Sequence, residues 1–157
     1  MNCPTVILPG HPGEPRVELL DARILGLEAP ELRERTRALS PKRAAFISRS
    51  YRHPYALIVL HDTPVGIDIE RIEICEPAFA RSICTPGEAH DSGSVAHRDR
   101  YFTSMWSSKE ALAKALGDPL SYDPRRLDAP MHWPGGRAGA WRSASCPRPS
   151  RCRRSRR

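Results

Sequence analysis

Four side chains in two short stretches have types and spacing suited to phosphate chemistry. In Trp106–Gly117, WSSKEALAKALG, Glu110 and Lys114 are four residues apart, so a helix there stands a carboxylate and an ammonium on one face. In Gly66–Glu70, GIDIE, a strand puts Asp68 and Glu70 on one face and turns Ile67 and Ile69 to the other. Three carboxylates and a lysine could then converge. Hard divalent ions such as magnesium take oxygen ligands and keep positions open for substrate phosphates, so the set reads as a site for a metal-bound phosphate compound. Taken singly, neither half is specific. An acidic pair on a strand is commonly solvent-facing, and a Glu–Lys pair at i,i+4 is an ordinary helix salt bridge worth ~0.3–0.5 kcal/mol.

The elements that must position these groups are legible around them. Tyr55–His61 is apolar, aromatic and β-branched, Asp62, Thr63 and Pro64 form a turn, and Val65–Ile72 resumes strand character, which predicts a hairpin carrying the acidic pair on its second strand. From Arg98 to Leu116, Phe102, Met105, Trp106, Leu112, Ala113 and Leu116 recur at three- and four-residue steps, a helix ending at Gly117. Lys109 falls within that apolar stripe and must either snorkel or reach a partner. Thr85, Pro86, Gly87 and Glu88 have capping-box spacing with proline at the first helical position. Shorter helices are expected over Glu31–Leu39 and from Pro77 to Cys84, and Pro41–Ile47 is open between a helix and the start of an extended segment. Met1–Pro15 reads as an irregular arm, Val17–Leu27 as strand or helix, Asp91–Ala96 as loop, and Ser121–Arg126 as a strand end or turn.

Composition bounds the rest. A chain of 157 residues supports one domain with a real core. The net charge of +7 is carried by the C-terminal segment: no acidic residue follows Asp128, eight arginines do, and residues 1–128 therefore carry −1. The high pI thus says little about the partners of the body. The five cysteines form no C-x-x-C pair and leave one over, which suits reduced thiols in a cytoplasmic protein. The longest apolar run, Tyr55–Leu60, is far below the roughly 18–20 residues of a membrane span. His61, His90, His97 and His132 lack metal-ligand spacing.

GIDIE followed some 40 residues later by WSSKEALAKALG resembles the 4'-phosphopantetheinyl transferase superfamily, and Phe79–Glu88, FARSICTPGE, is similar to the family's link between the two motifs. The likeness covers roughly Tyr55–Leu127. It implies an α+β fold with antiparallel strands packed on helices, and transfer of the phosphopantetheine arm of coenzyme A to a serine of an apo acyl- or peptidyl-carrier protein, with release of adenosine 3',5'-bisphosphate. It further implies that Asp68, Glu70 and Glu110 are magnesium ligands and that Lys114 contacts coenzyme A phosphates. The resemblance also implies that Glu110 doubles as general base if the chain is of the larger, monomeric type, a water serving instead in the small trimeric type, and that Lys109, which precedes it, helps bind phosphate. Two of the chain's three lysines lie in this one motif, against 22 arginines in all.

The chain also departs from the family. Where the larger type has an S-x-S-H segment whose histidine contacts coenzyme A, Ile47–Ser50 reads ISRS; Arg49 stands at the expected place and His53 is nearby, so both are candidates. The larger type is built from two similar halves, and the residues before Tyr55 are few for a complete first half. The expected division is therefore an N-terminal arm and partial first half over 1–54, a transferase-like core over 55–141, and a basic low-complexity tail over 142–157, a truncated or frame-altered end. The departures leave a second reading open, a non-catalytic relative that binds coenzyme A or a carrier; nucleic-acid binding rests on the tail alone. Monomer and homo-oligomer both remain open.

Overall fold

The apolar run at Tyr55–Leu60 becomes the strand against which most of the N-terminal half is laid. The computed structural model describes residues 2–7, 15–39, 46–91, 97–129 and 142–143. Strands β1 (Asn2–Ile7), β2 (Arg16–Asp21), β3 (Phe46–Arg52), β4 (Tyr55–His61), β5 (Gly66–Arg71) and β6 (Arg142–Ser143) are joined by helices α1 (Ala22–Leu25), α2 (Ala29–Ala38), α3 (Pro77–Ile83), α4 (Pro86–Asp91) and α5 (Arg98–Leu116), with a 3-10 turn over Pro124–Arg126. The fold is α+β, as expected. Its two antiparallel sheets run in the orders β2-β4-β3 and β5-β1-β6.

Ala56 to Val59 of β4 are all buried, because both faces of the strand are covered. Ala56 packs with Ala22 and Leu32 on one face, while Leu57 and Val59 pack with Val65, Ile67 and Ile69 on the other. A continuous apolar run, rather than an alternating one, is what such a strand requires.

Helix α5 has the bounds that its apolar spacing predicts. Gly117 ends it in the left-handed region at φ 82°, returning its N–H to the carbonyls of Ala113 and Lys114. Phe102 and Met105 pack against Ala80 and Ile83 of α3. Further along, α5 crosses the start of β5 so closely that a β-carbon on Gly66 would stand 1.7 Å from the carbonyl oxygen of Ala111. The first residue of GIDIE is glycine because the helix backbone fills the space of a side chain, and this contact sets how near the two motifs come.

Several expectations are corrected. β4 and β5 do not form a hairpin: β4 pairs with β2 and β3, whereas β5 pairs with β1 in the register Thr5↔Asp68 and Cys3↔Glu70. The turn exists, with the Thr63 N–H donating to His61 Nδ1 at 3.1 Å, but it carries the chain from one sheet to the other. Turn chemistry specifies a reversal and leaves the choice of neighbour to long-range packing. The stretch expected as an irregular arm supplies β1, between β5 and β6. Arg142 and Ser143, the first residues of the basic low-complexity tail, pair with Val6 and Thr5. Strands from both sides of residue 54 share one sheet. The ambiguous Val17–Leu27 resolves into strand, one turn of helix and Gly26, and Ser121–Arg126 holds the 3-10 turn. Residues 40–45, 92–96 and 144–157, on which other expectations fall, lie outside the described residues. No helix among the described residues is long and apolar enough to cross a membrane.

Candidate active site between β5 and α5

Asp68 is the centre of the site. It is 3% exposed, on the strand that α5 overlies. Its Oδ1 accepts from Lys114 Nζ at 2.7 Å and from Ser50 Oγ at 2.7 Å, and Lys114 also donates to the Ile67 carbonyl at 3.2 Å. Asp68 Oδ2 is buried with no hydrogen-bond partner among the described residues. A buried carboxylate oxygen left bare is unfavourable and calls for an explanation.

Glu70, two residues on, reaches Arg52 Nε at 3.3 Å. Burial pushes its carboxyl above the ordinary range and the charge of Asp68 adds to this, against the opposing pull of Arg52, a hydrogen bond from Trp106 and the charge of Lys114. Glu110 accepts a hydrogen bond from Tyr122 Oη at 2.8 Å. Burial raises its carboxyl too, the Tyr122 bond works against this, and Asp68 again pushes upward. Both glutamates therefore feel the aspartate, Glu70 along the strand and Glu110 from α5, so two motifs 40 residues apart in sequence form one electrostatic unit.

A divalent ion fits this donor set chemically. Asp68, Glu70 and Glu110 supply carboxylate oxygens, and a cation held by them would relieve the bare Asp68 Oδ2 and the share of the upward push on the two glutamates that Asp68 adds to burial. The carboxylates are not drawn onto one point, and among the described residues no group of three acidic, histidine or cysteine side chains is close enough to hold a metal as it stands. Arg52, Tyr122 and Lys114 each hold one of them.

The other expected site residues lie elsewhere. Lys109 is fully buried; its Nζ donates to Glu88 Oε2 at 2.5 Å, the Ile83 carbonyl at 2.6 Å and the Pro124 carbonyl at 2.8 Å. Of the two outcomes open to a charge in an apolar stripe, it has found a partner, and its three donors are all used. Arg49 donates to the Thr36 and Leu39 carbonyls at 3.0 and 2.8 Å, at the end of α2. His53 lines a cavity of about 410 Å³ with Arg33, Arg37 and Tyr51. The reason is strand alternation: Ser48 and Ser50 face β5, so Arg49 between them is turned to α2, away from the carboxylates.

Ser50, Arg52 and Tyr122 touch the three carboxylates without having been anticipated. The S-R-S repeat carries a period-two signal that could have singled out Ser50. Tyr122 sits in an irregular stretch and carried none.

Both motifs fall within residues 64–146, over which the chain matches the 4'-phosphopantetheinyl transferase superfamily, more than half of its length. The chain belongs to that superfamily. It is also similar to the 4'-phosphopantetheinyl transferase psf-1 of Bacillus pumilus, 35% identical over 75 residues, which is 46% of this chain and 32% of that protein. The chain thus spans about a third of this curated relative. No solved structure matches it. Within this superfamily member, Asp68, Glu70, Glu110 and Lys114 lie inside the matched region, whereas Arg49 and His53 precede it.

Proposed function

We propose that the chain transfers the 4'-phosphopantetheine arm of coenzyme A to a serine of an apo acyl- or peptidyl-carrier protein, a holo-[acyl-carrier-protein] synthase activity of the cytoplasm. The observation that carries this reading is the bare, buried Oδ2 of Asp68, an aspartate that pairs with Lys114 through its other oxygen and whose charge helps burial to raise the carboxyls of two glutamates. Asp68, Glu70 and Glu110 would hold magnesium, which when bound offsets the negative charge of the diphosphate.

The serine hydroxyl attacks the phosphorus that bears the pantetheine arm. The new P–O bond forms as the bond to the bridging diphosphate oxygen breaks, and adenosine 3',5'-bisphosphate leaves. Glu110, whose carboxyl burial raises above the ordinary range, takes the serine proton. Lys114 turns from Asp68 to the phosphate oxygens, where its charge is of most use in the transition state. We assign coenzyme A contacts to Lys114 and to His53, which lines a cavity whose two arginines suit a phosphate. Lys109 and Arg49 would first have to leave their present carbonyl and carboxylate bonds, so they are left out of the contact set.

Incubation with coenzyme A, magnesium and apo carrier proteins, read by mass spectrometry of the carrier, tests the reading. Added arms that vanish in Glu110→Gln, and a shifted magnesium requirement in Asp68→Ala, are expected. Coenzyme A binding by calorimetry without transfer to any carrier would instead favour a non-catalytic relative, the reading that the diverted Arg49 supports.

A further inference from the structure

We infer that Tyr122 is a positioning residue for Glu110, which holds the glutamate carboxylate in the orientation that ion binding and proton transfer need. The inference rests on the transferase reading above and adds a residue outside both acidic motifs.

The geometry that supports it is specific. Tyr122 is half-buried and donates its phenol proton to one oxygen of Glu110, Oε1, at 2.8 Å. Phenol is a neutral donor at any pH at which a transferase works, so it orients the carboxylate without neutralising it. The segment that carries it is anchored at several points. Ser121 bonds to Asp118, and the Asp123 carboxylate accepts from the Arg125 N–H at 3.0 Å to start the 3-10 turn. The Pro124 carbonyl accepts from Lys109 Nζ at 2.8 Å, and Leu127 packs on Ala111 and Leu112. Consecutive residues of α5, Lys109 and Glu110, therefore grip the same short segment, one through its backbone and the other through its tyrosine. Lys109 is buried with three hydrogen bonds, so the phenol is delivered at a set height along the helix.

Glutamate has three side-chain torsions, and a hydrogen bond to its charged form restricts them. Such restriction matters because a reacting group displaced by about 1 Å can lose about a hundredfold in rate.

The experiment uses Tyr122→Phe, which keeps the ring and removes only the hydroxyl. Manganese binding is followed by electron paramagnetic resonance in four proteins: the parent, Tyr122→Phe, Glu110→Gln and the double variant. Steady-state transfer is measured in the parent and Tyr122→Phe. A positioning role predicts that Tyr122→Phe weakens manganese binding about fivefold in the Glu110 background and has no further effect beside Glu110→Gln. It also predicts a drop in kcat of about tenfold with KM for coenzyme A within about twofold. Equal losses in both backgrounds would mean that the hydroxyl acts only on the fold, and parent-like binding and kcat would mean that it does nothing; either overturns the inference. A parent that binds manganese with this dependence on Tyr122 but transfers no arm supports the placement and overturns the transferase reading. A parent that binds no manganese overturns both.

Discussion

Two lysine–carboxylate pairs five residues apart on α5 look alike on paper and differ in what they leave unsatisfied. Lys109 and Glu88 are 0% and 2% exposed, and every donor and acceptor is used: Lys109 bonds to two carbonyls and the carboxylate, while Glu88 also accepts from the N–H groups of Thr85 and Ala129. The side chains of Lys114 and Asp68 are 20% and 4% exposed, and the aspartate keeps one oxygen without a partner among the described residues. The first pair is a closed joint between α4, α5 and the 3-10 turn. The second is an open one, and burial with incomplete satisfaction is where chemistry is to be sought.

The largest effect should come from the closed pair. Lys109→Met leaves Glu88 charged in a dry site and should remove about 3–5 kcal/mol of unfolding free energy, read by chemical denaturation; a loss below about 1 kcal/mol would mean that the joint is not what holds α4 on α5. At the open pair the same change should reverse the pattern. Lys114→Met is expected to slow carrier modification about a hundredfold while costing less stability than Lys109→Met, because the lysine is partly exposed and Ser50 still serves Asp68. Matching losses of stability at both positions would erase the distinction between them.

Ser50→Ala sharpens the comparison on the aspartate side. It takes a donor from Asp68 and an acceptor from the Ile69 N–H, and should cost about 1–2 kcal/mol, measured by thermal melting. The smallest effect is on pH. Because the carboxyls of Glu70 and Glu110 are raised above 4.5, the folded protein without a divalent ion binds protons more tightly than the unfolded chain. Their contribution to stability is fully present below that ordinary value and is lost as pH rises through the raised values. Magnesium, by favouring the charged forms, should flatten this fall. Melting temperatures followed across that range in EDTA and in magnesium should diverge as pH rises, and parallel curves would separate the glutamates from any ion.

The same contrast explains what could be read in advance. Helix α5 and the Thr85–Glu88 cap were legible because their signals are local: apolar steps of three and four, a terminal glycine, and two polar residues three apart. The pairing of Asp68 and Glu70 on one strand was legible from alternation alone. The partner of Lys109 was not, since Glu88 lies 21 residues away and only the packing of α4 on α5 brings it near. The pairing of β5 with β1 rather than β4 was hidden for the same reason, as the turn at Asp62–Pro64 suits either neighbour. Arg49 could have been set on its proper face by the period of two that placed Ser48 and Ser50, had the pairing of β3 been known.

Those serines have a wider consequence. Along its β1 edge, β5 is joined by main-chain pairing, but towards β3 the N–H groups of Ile67 and Ile69 donate to the hydroxyls of Ser48 and Ser50, each at 3.2 Å. Main-chain pairing survives almost any substitution because each residue brings its own amide and carbonyl. A seam stitched by hydroxyls is instead written in the side chains, so one codon change at position 48 or 50 can loosen the acidic strand from the neighbouring sheet. Natural variation at these two positions would therefore be a direct handle on how firmly the strand that bears Asp68 is seated.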